Sequence, residues 1–394
     1  MADEFTIAED LKVEIYLPTA GSGVWNASKW DDGSDWMASA GASFAWTDVV
    51  ATISQASIVL GGSVQDGYYV PATPNTMTLQ MQSATYDPNN NKYMRPNLQI
   101  RFSYRKNPDT APSTWTVLFT GYIDTLDVSY DAFGNNLIDI AASSSLKRFL
   151  AKNLSSYAVS GSPNEGTLFA QWITAVGANA SSTINGIGCT FLTETFTDVA
   201  AGEMLDNILQ VQNGFVWQEP STELIRAESS AAIRSLLATP ATNSLSNTHT
   251  TASTHYCISD IVLDYDIDSV YNSYFVASSA TPSTILKKQN QDLIELYNEI
   301  RLEKEFHIDS ASLQFWLNNV SIKNPGRKVQ QVTTPAIRRD GLLADVTALQ
   351  PRKTINVNVV KTGYTVNEDT FITKATHTLD PDNWFVTLEV WKGF

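Results

Sequence analysis

Residues 118–154, LFTGYIDTLDVSYDAFGNNLIDIAASSSLKRFLAKNL, carry strand, turn, strand and helix signals in unbroken order. Leu118, Phe119, Tyr122 and Ile123 form an apolar run interrupted at Gly121, where a bulge or a close backbone approach is the usual reason for glycine. Strand side chains alternate between faces, so Leu126 and Val128 fall on one side, and Leu137, Ile138 and Ile140 mark the returning strand. The polar stretch 131–136, broken by Phe133, reads as the hairpin loop. Residues 143–145 are serines placed to cap a short helix, in which Leu146, Phe149 and Leu150 share a face. A hairpin of this kind needs further strands beside it and a second layer over its apolar side. The chain around it must therefore be largely sheet.

The remaining sequence meets that demand. The 394 residues exceed what one core usually organises, which predicts two or three domains. Residues 11–17 alternate as a strand stopped by Pro18, and a Trp-rich, Gly/Ser/Asp-rich passage, VWNASKWDDGSDWMASAGASFAWTDVV, follows. Exposed tryptophans can serve as carbohydrate platforms; loop aromatics folded back on a β-domain are the commoner case. Residues 48–60, 76–83 and 98–104 read as strands, with a Gly61–Gly62 turn and turn residues at 86–91 between them. A first all-β domain ends with the helix of the opening stretch.

Beyond it the period changes. Leu168, Trp172, Ile173 and Val176 have helical spacing with Gly177 as a stop, and Met204, Leu205, Ile208 and Leu209 repeat the pattern before Asn213 and Gly214. Residues 215–218 and 223–227 form a hairpin. The Thr/Ser/Asn-rich tract 239–254 reads as a loop or linker. Strands resume at 261–267 and 273–278; residues 290–306 suit either one helix or a turn followed by a strand, and 310–320 a helix with Leu313, Trp316, Leu317 and Val320 on one face. Residues 354–360 and 371–391 alternate around a turn at 380–383. In that closing hairpin Trp384, Val386, Leu388 and Val390 share a face, whereas Phe371, Thr373, Ala375 and His377 are mixed and predict a weaker outgoing strand. The expected fold is mainly β with an α/β insert: residues 1–154, a middle α/β domain 155–257, and a second β-domain 258–394.

The chemistry is sparse. No GxxxxGK[ST], HExxH or GxSxG occurs. His249, His255, His307 and His377 are scattered, and Cys189 and Cys257 show no CxxC spacing, so two buried free thiols are expected. Asp264, Asp266 and Asp268 resemble the start of a calcium loop, but Ser269 stands where its glycine belongs and Phe275 where its bidentate glutamate belongs. They read as the solvent face of a strand, and Asp31, Asp32 and Asp35 as turn formers. Catalytic, cofactor-binding and metal-binding residues are accordingly expected to be absent. A net charge of −15 opposes nucleic-acid binding, which needs clustered Lys and Arg; solubility is the commoner cause of such a balance, and a wall past which DNA slides without sticking also fits it. No basic, apolar leader and no run long enough to span a membrane is seen, which predicts a chain that is cytosolic when made.

Several stretches resemble, in order, the hub-type minor tail proteins of long-tailed bacteriophages, especially those of actinobacteria: WDDGSDWMASAGASFAWTDVV, PNTMTLQMQSATYDP, MRPNLQIRF, LFTGYI with IDIAA and SSLKRFLA, AAGEMLDNILQVQNGFVWQ, DLIELYNEIRLEKEF and ITKATHTLDPDNWFVTLEV. The lead-in is reduced and irregular, and 239–254 looks like an insertion. The resemblance implies two β-barrel-like domains flanking a small α/β domain, in a homotrimer whose barrels continue the tail tube. It further implies a structural baseplate hub at the virion tail tip, surrounding the channel through which DNA is ejected. Partners so implied are other copies of the chain, distal tail or tube proteins, the tape-measure protein, and fibre or receptor-binding proteins. The alternatives are a distal tail ring, a peripheral protein recognising host cell-wall glycan and, from another class, a wall-cleaving enzyme.

Overall fold

The structure, a computed structural model, describes residues 10–18, 44–105, 115–179, 188–248, 254–264, 271–320, 328–336, 345–361, 364–380 and 383–392. It is mainly β, built on a large, curled half-barrel sheet. Seven strands open the chain: β1 (Leu11–Pro18), β2 (Phe44–Asp48), β3 (Ile53–Gly61), β4 (Thr76–Met81), β5 (Gln99–Arg105), β6 (Trp115–Tyr130) and β7 (Asn136–Ser143). Several show the period of two that burial of one face requires, as in Ala56, Ile58 and Leu60 of β3 or Met77, Leu79 and Met81 of β4. β6 is long enough to serve two neighbours, pairing with β5 through its first half and with β7 through its second. Gly121 sits where those pairings meet. A Cβ there would lie 2.4 Å from the Ser143 carbonyl oxygen, so the close approach accounts for the glycine.

The middle of the chain supplies α1 (Leu146–Leu150), β8 (Asn153–Val159), α2 (Glu165–Val176), β9 (Glu194–Ala200), α3 (Ala201–Gln212), β10 (Phe215–Gln218), β11 (Ile225–Glu228) and α4 (Ser230–Leu237). Asn164 and Ser229 cap α2 and α4 by accepting from backbone N–H groups, and Gly177 and Asn213 close α2 and α3 in the left-handed conformation. There follow β12 (Ser244–Ser246), β13 (His255–Cys257), β14 (Asp260–Asp264), β15 (Ser273–Ser278), β16 (Thr281–Gln289), α5 (Gln291–Tyr297), β17 (Arg301–Phe306) and α6 (Ser310–Asn319). The last strands are β18 (Lys328–Pro335), β19 (Thr354–Lys361), β20 (Tyr364–Leu379) and β21 (Trp384–Trp391).

One pairing joins the two ends of the chain. β20, like β6, is long and shared: its first half pairs with β19, its second half with β3, and β21 lies along its other edge. The seam between β3 and β20 makes the early and late strands one sheet over one apolar core. Trp384 of β21 lies edge-on to Phe102 and Tyr104 of β5, with centroids 6.5 and 5.8 Å away. A second core gathers α2, α3 and α6 with β15 and β17; there Trp316 packs on Phe306, Tyr68 and Tyr274 and donates to the Gln210 carbonyl at 3.2 Å. Burial of each such aromatic contributes roughly 2–3 kcal/mol.

The cores meet at a buried polar junction. Asn75 accepts from the Gly61 N–H at 3.1 Å and donates to the Gln218 carbonyl at 2.8 Å. Its own N–H donates to Ser144 Oγ, and the Ser144 N–H returns to its carbonyl. Gln218 donates to Ser145 Oγ at 2.6 Å and accepts from the Leu146 N–H at 2.9 Å. The expected serine cap of α1 is therefore corrected: Ser145 makes no capping bond, and the glutamine of β10 caps the helix instead. Gly61, at φ +75°, is confined by the Thr373 carbonyl of β20, 2.2 Å from where a Cβ would be.

Other departures have local causes. The strand expected over 48–60 is broken by a 3-10 turn at Val50–Thr52, because Val49 and Val50 are both buried and alternation cannot bury consecutive residues on one face. Tract 239–254 contributes β12, a parallel partner of β13 and β19 held by the wholly buried Leu245. Residues 290–306 form a short helix and then a strand. The outgoing strand of the closing hairpin is not the weaker one: Phe371, Thr373, Ala375 and His377 are all buried. Thr370 and Thr373 satisfy their hydroxyls on the Ile355 and Glu389 carbonyls, and Phe371 faces a third cluster with Phe215, 5.5 Å away.

Two outcomes follow from these contacts. Asn75→Ala leaves the Gly61 N–H and the Gln218 carbonyl unpaired, and is expected to cost about 2–4 kcal/mol in chemical denaturation. A loss below about 1 kcal/mol would show that the junction is dispensable. His377, fully buried, accepts from Trp384 Nε1–H at 3.3 Å, and burial pushes its pKa down to about 4. The folded state thus holds the imidazole neutral while the unfolded chain takes up a proton near pH 6.5, so stability is full above that pH and falls towards pH 4. The contribution is on the order of 3 kcal/mol. His377→Phe should flatten the melting temperature over this interval relative to the parent chain; equal slopes would refute the assignment.

Candidate functional site

Five strands present a polar face opposite the main core, and a groove of about 460 Å³ runs across it. Its floor consists of two cross-strand rows fixed by register. Thr378 of β20, Ser57 of β3, Thr78 of β4, Ala141 of β7 and Thr125 of β6 stand opposite one another in sequence across the sheet. Beside them, Gln55, Gln80, Asp139 and Asp127 form the second row. Each lies one residue from a buried or partly buried apolar neighbour, so the alternation that fills the core also assembles this face. The seam between β3 and β20 passes through it, so both ends of the chain contribute.

The groove carries Asp127, Asp139 and Asp380, and among the described residues no Lys or Arg lines it. Asp127 and Asp139 are direct cross-strand partners, an arrangement that like charges disfavour. Gln80 Nε2 donates to Asp139 at 3.1 Å and offsets part of that cost. The surface is hydrogen-bonding and weakly anionic, with Ala56, Leu79, Ile140 and Leu379 lining it between the polar groups. Such a face repels phosphate and offers no pocket in which a small molecule is buried.

The residues singled out in the sequence do not come together here. His255 is held between Ser244 Oγ at 2.8 Å and the Thr248 carbonyl at 2.9 Å, and His307 between Glu194 and Ser279. Cys189 is buried, with its thiol pushed up by burial; Cys257 is only half-buried, against expectation, and neither forms a disulfide. Of the aspartate series, the Asp264 backbone belongs to β14, while Asp266 and Asp268 lie outside the described residues, as do Asp31, Asp32, Asp35, His249, Trp25, Trp30 and Trp36. Trp46 lies under the Arg101 guanidinium, 4.2 Å from its ring centre, on β2. Among the described residues no group of three His, Cys, Asp or Glu is placed to hold a metal ion, and no helix is long and apolar enough to cross a membrane. The groove itself escaped sequence reading because Thr, Ser and Gln at alternate positions are the ordinary solvent face of a sheet; only register shows Asp127 facing Asp139.

No family model matches the sequence, and no curated protein matches it. Solved structures match along its length. A tail protein from Neisseria meningitidis MC58 superposes with a TM-score of 0.57 at 12% identity, covering 97% of this chain and 96% of that one. The 43 kDa tail protein of prophage MuSo2 from Shewanella oneidensis gives 0.56 at 10% identity, with 98% of each chain covered. A chain of the Francisella PdpA-VgrG complex gives 0.52 at 10% identity over 97% of this chain and 52% of that one. At such identities the likeness is one of fold, and the chain has the fold of phage tail proteins.

The facing aspartates give a measurable expectation. Asp127→Asn removes a like-charge pair and should raise stability by about 0.5 kcal/mol at low salt, with the gain shrinking as salt screens the pair. A destabilised variant would show that the pair is not a repulsive one.

Proposed function

We propose that the chain is a non-enzymatic structural subunit of a phage-type tail, acting at the tail tip as a hub that joins the tail tube to distal tip or fibre proteins. The observation that carries this reading is the groove built across the seam, which carries three aspartates and, among the described residues, no Lys or Arg, on a fold shared with phage tail proteins. A conduit for DNA has to let phosphates pass without capture, and Lys or Arg on its wall would hold them. Hydroxyls, amides and carboxylates on a rigid sheet meet that requirement. The groove would then face the channel and the apolar core would lie behind it.

A closed ring of such subunits needs heterologous contacts, one surface of each copy against a different surface of the next. The two barrel-like regions, residues 1–154 and 258–394 with the smaller α/β region between them, would supply alternating units, so that a homotrimer matches a six-fold tube. The tape-measure protein and the fibre or receptor-binding proteins would be its axial and peripheral partners. Its place would be the virion tail tip, after synthesis in the host cytoplasm.

The test is a reconstruction of the whole particle. Three copies around the axis at the tip, with the two β-rich regions alternating and the Thr78/Gln80 face towards the lumen, are expected. Six copies, or copies confined to peripheral fibres, would overturn the hub. In the same particle Asp127→Lys together with Asp139→Lys should slow DNA release measurably while leaving particle yield unchanged; unaltered release would remove the groove from the channel.

A further inference from the structure

The polar face does not end at the groove. Along β20 its outward positions run on from Thr378 through Thr376 to Lys374, since the alternate residues Ala375 and His377 are buried in the core. Register carries the same face onto β21 and β18: Thr376 stands opposite Thr387 and Thr387 opposite Thr333, with the Thr333 and Thr387 hydroxyls 3.0 Å apart. In the next row Gln331, Glu389, Lys374 and Gly61 stand in line across β18, β21, β20 and β3. Among the described residues of these rows, and of the rows that floor the groove, Lys374 is the single Lys or Arg.

That ammonium is not bare. Lys374 Nζ donates to Glu389 Oε1 at 2.8 Å, and the two residues are direct cross-strand partners whose side chains are 27% and 20% exposed. On the β3 side Nζ reaches Ser63 Oγ at 3.5 Å, and Gly61, in the facing position, brings no side chain. The carboxylate that matches the charge is therefore the one on β21. Cross-strand ion pairs with this exposure add little to stability. Their effect on what passes over the sheet is greater. An unmatched ammonium displaces counterions from a phosphate backbone and holds it, whereas a pair in contact carries no net charge with which to do so.

We propose that Glu389 is the charge mask of the wall: by pairing with Lys374 it keeps the ammonium of this face from holding passing phosphates. The proposal deepens the channel reading given above and rests on it. It gives a role in passage to a residue that lies outside the groove and outside the core.

The experiment uses assembled particles whose chains carry Glu389→Gln, a change of nearly the same shape that leaves the ammonium unmatched. At low salt DNA release is expected to slow about twofold or more, and the slowing should fade as salt rises. Adding Lys374→Met to the same chain should return release to the parental rate, a rescue that a purely structural role of Glu389 would not give. The exchanged pair, Lys374→Glu with Glu389→Lys, keeps the charges matched and should release DNA like the parent. Slowing that Lys374→Met fails to relieve, or slow release from the exchanged pair, would overturn the mask. If Glu389→Gln leaves release unchanged while Asp127→Lys with Asp139→Lys slows it, the wall stands and Glu389 has no part in it. If neither change alters release, the channel reading falls and the mask falls with it.

Discussion

The hydrogen bonds of Asn75 hold together what the rest of the structure presupposes. Its carboxamide fixes the last N–H of β3, where that strand turns away from β20, and reaches across to the carbonyl of β10. Buried amides in such positions must be fully paired, since an unmatched donor or acceptor costs as much as several ordinary bonds contribute. Here Gln218 and the serines before α1 complete the set, so seam, helix and middle hairpin share one polar anchor between apolar cores. Gly61 belongs to the same constraint from the other side, because the Thr373 carbonyl occupies the space a side chain would need.

Much of the local architecture was legible in the residues. Alternation in 76–81 and 384–391, the Gly177 and Asn213 stops, and the polar loop of the β6–β7 hairpin each have a mechanism that acts within a few residues. What escaped depends on partners far away in sequence. Nothing near Ile58 says that its neighbour is His377, and the mixed residues of β20 look weak until cores are seen to cover them on both sides. A three-residue strand such as β12 has too few positions to show a period at all. Gln218 capping a helix that its own segment does not contain is likewise invisible to any local rule.

The candidate site was hidden for a related reason. Pockets that do chemistry advertise themselves through unusual residue types at fixed spacing, whereas a smooth wall is made from the commonest polar residues in the commonest pattern. Its character lies in the absence of positive charge among the described residues that line it and in curvature that arises from register and strand twist. The two rows converge from five strands and acquire meaning only once β3 and β20 are side by side. The likeness to tail proteins is one of fold, and the function of such a face has to be argued from its own residues.

The position of β20 also bears on the order in which the molecule can be made. β3 is made long before β20, so one of its two edges stays unsatisfied until that strand has been synthesised. Non-local pairing of this kind folds slowly and leaves an intermediate with an open, adhesive edge. Completion of the sheet is consequently a report that translation has passed β20: a chain cut short before that strand cannot close the seam, and so cannot form the polar face that crosses it.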